Sequence, residues 1–221
     1  MSATLKKAAL YADHLRALPA AMQGEADVAC WRHALMMPNM NTAYRLPEKL
    51  QTDRYLLRRV VTGDAEAIFR SYGTDALVTR YLGWKPHQCV EQTTAFLHQA
   101  GQEWERSIGF PLVAFDREAP EELVGMFHPH IRGHTVSYGY VLGRAHWGKG
   151  CATEVMRWLL GHALSHPHVH RAEAFCDIEN AASARVLEKA GMAFEGVLRR
   201  YFLHPNLSDI PRDCRIYAKV R

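Results

Sequence analysis

The chain has 221 residues, 48% of them hydrophobic and 23% charged, which is enough for one substantial core and too apolar for a disordered chain. Its formal charge of +4 is spread over scattered Lys and Arg without a block of like charge. Nothing therefore demands nucleic acid, and the mild basicity suits an anionic small ligand equally well. No uncharged run approaches the ~18 residues of a membrane span, and Asp13, His14 and Arg16 interrupt any apolar core of a signal sequence. The five cysteines, Cys30, Cys89, Cys151, Cys176 and Cys214, are odd in number and form no CxxC pair, a usage that reads as reduced thiols in a cytoplasm.

Residues 1–50 differ from the rest. Leu5, Ala8, Ala9, Ala12 and Leu15 stand at helical spacing, a second short helix is expected within 27–37, and "PNMNTAYRLPEK" reads as an irregular linker. This segment is expected to be an N-terminal arm with a packing role, followed by one domain over 51–221. In that domain "RYLLRRVV" is a strand, and "TGDAEAIFRSY" begins a helix with Asp64 or Thr62 as its cap. Val90, Thr93, Thr94, Leu97, Ala100 and Trp104 mark a long helix. The strands "PLVAFD", "ELVGMFH" and "TVSYGYVL" follow too closely for crossovers and must form antiparallel hairpins. An apolar stripe from Ala152 to Ala163 predicts the next helix. "VHRAEAFC" is another strand, "NAASARVLEKAG" a short helix stopped by Gly191, and "GVLRRYFLH" and "DCRIYAKVR" the last two strands. The order describes an α+β (mixed α/β) domain without internal repeats.

The most informative stretch is "GRAHWGKGCATEV", residues 143–155, where a strand passes into a helix. Such a junction offers free backbone N–H groups and the positive end of a helix dipole. Gly148 and Gly150 allow an anion close to the backbone, and Lys149 and Arg144 add positive charge. The physics is that of phosphate binding, set against a merely structural glycine turn. "GRAHWGK" fits the G-x-x-x-x-G-K of a nucleotide loop, but Gly150 stands where Ser or Thr must hold Mg²⁺. The strand "LVAFD" also lies upstream in an antiparallel meander, so that topology is excluded.

A second constellation is "CDIENAASARVLEKAGMAFEG". Ser183 shares a helical stripe with Val186, Leu187 and Ala190, which puts a hydroxyl on an apolar face, and Asn180 precedes the helix where an Asn usually caps it. Purely local roles for both residues, as cap and backbone bonder, are equally open from the pattern. "SHPHVHR" at 165–171 lacks cysteine partners and yields no metal site.

Together "WGKGCATEV" and "NAASARVLEKAGM" resemble the acetyl-CoA pyrophosphate loop and the later CoA-side helix of the GNAT superfamily of N-acetyltransferases. "TRYLGWKPHQCVEQTTAFL" and "FEGVLRR…DCRIYAKV" are similar to its RimJ/RimL-like branch, whose members acetylate ribosomal-protein N-termini. The resemblance covers about residues 53–221. It implies a mostly antiparallel sheet, flanked by helices and splayed between "SYGYVL" and "VHRAEAFC", with acetyl-CoA in the gap. Backbone around Val141 and Leu142 would pair with the pantetheine arm, and the stretch Trp147, Gly148, Lys149, Gly150, Cys151, Ala152 and Thr153 would hold the pyrophosphate. Asn180 would bond the arm from the far side. An amine would attack the thioester directly in a ternary complex, and the departing thiolate would take its proton from Ser183, because the Tyr used by many members is Leu187 here.

Two departures stand out. Ser137 replaces the Glu of the branch's E-x-G-Y pattern, and Ala145 replaces a Gln or Arg. His128, His130, His134, Glu173 and Asp177 are other titratable groups near the expected splay. The acceptor implied is a primary amine, on a small molecule or a peptide N-terminus, with no nucleic acid, membrane or metal involved and a monomer or homodimer as the working unit. A module that binds acyl-CoA as a sensor, with little catalysis, is the competing reading.

Overall fold

The computed structural model describes residues 44–221; the helices expected before residue 43 lie outside them. The strands are β1 (Lys49–Gln51), β2 (Tyr55–Arg59), β3 (Leu112–Asp116), β4 (Leu123–Arg132), β5 (Thr135–Leu142), β6 (Arg171–Asp177), β7 (Ala193–Phe202) and β8 (Arg212–Val220). The α-helices are α1 (Ala65–Ile68), α2 (Ala76–Thr79), α3 (Val90–Glu105), α4 (Cys151–Ser165) and α5 (Ala181–Lys189). All eight strands join one sheet in the order β1-β2-β3-β4-β5-β6-β8-β7. Every neighbouring pair is antiparallel except β5 with β6, which is parallel.

The β5–β6 contact positions the site. It registers only Thr135–Ser137 against Arg171–Glu173, so the remainder of β5 parts from β6 and the sheet opens. On one face α4 seals the core with Val155, Met156, Leu159, Leu160 and Ala163, all fully buried. On the other face α1 and α3 cover Val113 and Met126 with Ile68, Leu97 and Ala100.

Two expectations change. The stretch 62–73 is a composite: a 3₁₀ turn over Thr62–Asp64, α1, then a π-turn over Phe69–Gly73. Neither Thr62 nor Asp64 is its N-cap, a position held by Val61. The Asp64 carboxylate instead accepts from the Val61 amide at 2.8 Å and grips the Arg58 guanidinium at 2.6 and 2.8 Å, because that cation, on β2, is within reach and only partly solvated.

The boundary near residue 50 also moves. Tyr44, Leu46 and Leu50 are buried at 0%, 4% and 6% exposure, and the Tyr44 ring meets Phe110 edge-on at 5.9 Å. The end of the segment that composition marks as a linker is part of the core, because Tyr44 packs against His162 and His166 at the end of α4 and Leu46, with Leu50 just beyond the segment, joins the same core. A chain beginning at residue 44 is therefore expected to unfold cooperatively, whereas one beginning at residue 49 should lose roughly 3–5 kcal/mol, the usual cost of deleting a buried aromatic. Urea titration of the two truncations checks this.

Candidate active site

Gly150 is the N-cap of α4 in the left-handed region, φ 84°, and Gly148 precedes it at φ 74°. This conformation disfavours any residue with a Cβ. It also leaves the α4 N-terminus with no side-chain cap. The first-turn amides of Cys151, Ala152 and Thr153 thus have no intrahelical acceptor, and these residues line a cavity of about 540 Å³. Burial pushes the Cys151 thiol up to about 12, so it stays neutral and adds no negative charge to that end.

A carboxylate in the first turn, Glu154, would repel an anion there, but it is turned away and neutralised. Its Oε1 accepts from the Thr52 hydroxyl at 2.6 Å and the Arg54 amide at 2.9 Å, and its Oε2 accepts from Arg54 Nε at 2.7 Å. Burial alone would raise the Glu154 carboxyl, but Thr52 and Arg54 hold it below its ordinary value. Arg54 Nη1 also donates to the Lys149 carbonyl at 2.9 Å, so one arginine just ahead of β2 clasps both the loop and the helix behind it.

The cavity runs from this helix end into the gap beside β5. Val141, Leu142, Trp147, Gly148, Gly150, Cys151, Ala152, Thr153, Asn180 and Ser183 all line it. Lys149 does not, since it enters the loop's architecture through its carbonyl. Leu77 and Val78 of α2 close the near side, and Arg80, Arg185 and Lys189 bring positive charge. Gly143 N–H bonds Val124 O across the β4 edge, and bonded positions alternate along an antiparallel pair. The backbone groups of Val141 therefore turn to β4, and those of Tyr140 and Leu142 turn to the gap. The Leu142 carbonyl is already taken by the Trp147 indole N–H at 2.9 Å.

Asn180 and Ser183 meet on the far side. The Asn180 side chain accepts from the Ser183 amide at 3.1 Å and so caps α5. The Ser183 hydroxyl is 2.7 Å from the Tyr140 hydroxyl. Burial raises the Tyr140 phenol well above its ordinary value, against a smaller opposing effect of the Ser183 bond, so it remains protonated. Leu187 is fully buried and lies outside the cavity.

The turn that carries Asn180 is anchored by Asp177, which is fully buried and accepts from Arg212 at 2.6 and 3.1 Å and from the Glu179 amide at 2.9 Å. Burial alone would raise this carboxyl, but Arg212 and the Glu179 amide hold it below the ordinary 3.8. A depressed folded value means the contribution to stability is complete above that ordinary pH and disappears as pH falls through the folded value. Asp177→Asn should thus cost up to about 3 kcal/mol at pH 7, the lower end for a buried pair because Arg212 retains some solvent. In denaturant titrations the difference from wild type should narrow once the pH drops below 3.8.

Sequence reasoning missed the α2 residues Leu77 and Val78 and the cations Arg80, Arg185 and Lys189 that line the cavity, and above all Arg54 and Tyr140. Arg54 carries no local signal, since its partner lies 100 residues away. Tyr140 could have been flagged: it shares the period-two face of β5 with Tyr138, and a phenol on an apolar strand face needs a partner.

This fold is that of an acetyltransferase. Residues 54–193 match the family model of the acetyltransferase (GNAT) domain, and the chain belongs to that family. Over 175 residues it is 32% identical to an uncharacterized N-acetyltransferase, YoaA, of Bacillus subtilis, an alignment covering 78% of this chain and 96% of YoaA. Among solved structures it is similar to a GNAT-family acetyltransferase from Bacillus anthracis, at 28% identity and TM-score 0.65, covering 78% of this chain and 98% of that one. It also shares its fold with RimL, a ribosomal alpha-N-protein acetyltransferase solved with coenzyme A, at 18% identity and TM-score 0.70 over 78% of this chain and 98% of that one. No helix among the described residues is long and apolar enough to cross a membrane.

Proposed function

We propose that the enzyme transfers an acetyl group from acetyl-CoA to a primary amine, the α-amine of a peptide or protein N-terminus being the foremost acceptor. The observation that carries this is a single cavity with unpartnered helix amides at one end and the Tyr140–Ser183 hydroxyl pair at the other. The amides of Cys151, Ala152 and Thr153 hold the pyrophosphate, and Arg80, Arg185 and Lys189 meet the remaining phosphate charge. The gap-facing backbone groups of Tyr140, the Leu142 N–H and the side chain of Asn180 meet the pantetheine arm. The neutral acceptor nitrogen attacks the thioester carbonyl, and the C–S bond breaks as the intermediate collapses. The departing thiolate takes a proton from the hydroxyl pair, a loss made good by the proton that the nitrogen sheds to solvent.

Ser137 offers no carboxylate to deprotonate the acceptor. An α-amine near pKa ~8 needs far less help than a lysine near ~10.4, and this favours the α-amine. The buried, unpaired thiols of Cys151, Cys176 and Cys214 support work in a reducing compartment such as the cytoplasm.

The test is turnover of acetyl-CoA by the full chain against peptides with free N-termini, polyamines and blocked peptides carrying one lysine, read by product mass and by released thiol. Acetylation confined to free N-termini is expected. Transfer to lysine or polyamine alone overturns the acceptor, and binding of acetyl-CoA without turnover on any amine leaves a sensor module.

A further inference from the structure

A second cluster of chemically able side chains lies apart from the cavity. Glu103 belongs to the last turn of α3, while His128 and His130 stand two residues apart on β4, so both imidazoles leave the same face of the sheet. His128 Nε2 is 2.6 Å from Glu103 Oε2, and His130 Nδ1 is 3.7 Å from the same oxygen. One ligand atom from each residue falls within 4.8 Å of the others, and the two rings stack at 3.9 Å between centroids. The backbone fixes the arrangement: Phe110 N–H donates to Pro129 O at 2.8 Å and Ile131 N–H to Ile108 O at 2.9 Å, on either side of His130. Gly109 lies against Glu103 so closely that a Cβ there would collide with its carboxylate.

We propose that Glu103, His128 and His130 form a binding site for a divalent first-row transition cation of the zinc type. Two imidazole nitrogens and one carboxylate oxygen suit Zn²⁺ or Co²⁺, whereas Mg²⁺ and Ca²⁺ favour oxygen donors throughout. Ligands at ~2.0–2.1 Å around a tetrahedral ion stand about 3.3 Å apart. The two distances from Glu103 fall on either side of that value, and the three ligand atoms lie within 4.8 Å of one another, so modest side-chain adjustments of the imidazoles and the carboxylate would close them on one ion. His128 and Glu103 are mostly enclosed, with side chains 16% and 17% exposed, while His130 is 45% exposed. An ion can therefore arrive past His130, and water completes the fourth position, as in open zinc sites. "SHPHVHR" does not converge in this way. His166 and His168 are 5.8 Å apart between ring centroids, and among the described residues the group of three ligands that meets is the one on α3 and β4.

The full chain, stripped with a chelator, is titrated with Co²⁺ while its visible absorption is followed, and with Zn²⁺ by calorimetry and thermal melting. One equivalent is expected, with the strong visible bands of four-coordinate cobalt and a rise in melting temperature with Zn²⁺. His130→Ala and Glu103→Gln should each weaken binding at least ~10-fold, and both should fold, as half-exposed or isosteric changes. The double variant His166→Ala/His168→Ala should bind like wild type. A six-coordinate cobalt spectrum, an equivalent that survives His130→Ala, or one lost in the His166/His168 variant overturns the site. Without bound metal the cluster is a plain hydrogen-bonded Glu103–His128 pair, for which His130 is dispensable.

Discussion

Ser183→Ala is expected to lower kcat ~100-fold, the lower end for positioned acid catalysis, with the KM for acetyl-CoA nearly unchanged. The helix survives the change, since Ala is the better helix former and the bond capping α5 uses the Ser183 amide. What is lost is a hydroxyl 2.7 Å from Tyr140, a group needed only as the thiolate departs. Tyr140→Phe tests the pair as a unit. If the phenol supplies the proton through Ser183, both single variants and the double variant should fall by similar factors, because groups that act together are not additive. A large loss in Tyr140→Phe beside near-wild-type Ser183→Ala would make the phenol the direct donor. Single-turnover measurements, which isolate chemistry from product release, decide between these outcomes; normal rates in both variants remove the pair from the mechanism.

Gly150→Val should weaken CoA binding roughly 30-fold or more, since a β-branched residue at positive φ costs at least ~1–2 kcal/mol in backbone strain alone. At φ 84° the new Cβ would also stand 3.3 Å from Arg54 Nη2, pressing on the guanidinium that clasps Lys149 and Glu154. Gly148→Val should be milder, about 10-fold, because its φ of 74° carries the strain but no atom lies within 4 Å of the added Cβ. Calorimetric titration with CoA and melting curves on both variants check this order. Unchanged affinity in both removes the pyrophosphate from the loop.

The elements with a strong period were legible from residues alone. The stripe over Ala152–Ala163 is α4, the three closely spaced apolar runs are the meander β3–β4–β5, and Gly148 and Gly150 do adopt the positive φ that a strand-to-helix loop requires. Long-range pairing was not legible. Tyr44 and Leu46 sit in a stretch whose composition reads as linker, yet burial is a property of the whole fold. Arg54 meets Glu154 across 100 positions, and no window on the sequence contains both. Local polar chemistry was half legible at Asp64: its carboxylate does serve the helix start, but from three residues inside it, by accepting from the Val61 amide while it also holds Arg58. Asn180 shows the converse: its structural role as a cap is realised while it still lines the cavity, so the two roles are not rivals.

The short seam between β5 and β6 has a mechanical consequence. With three registered pairs across its middle, the sheet behaves as two stiff plates on a narrow hinge, and its softest deformation widens or narrows the gap beside Tyr140 and Leu142. On the proposed placement of the cofactor, its pantetheine arm would act as a splint, joining the plates over the length where the chain itself does not. Part of the intrinsic binding free energy then goes into damping that motion, and slower amide exchange should spread along β6 and β8, well beyond the residues the ligand touches.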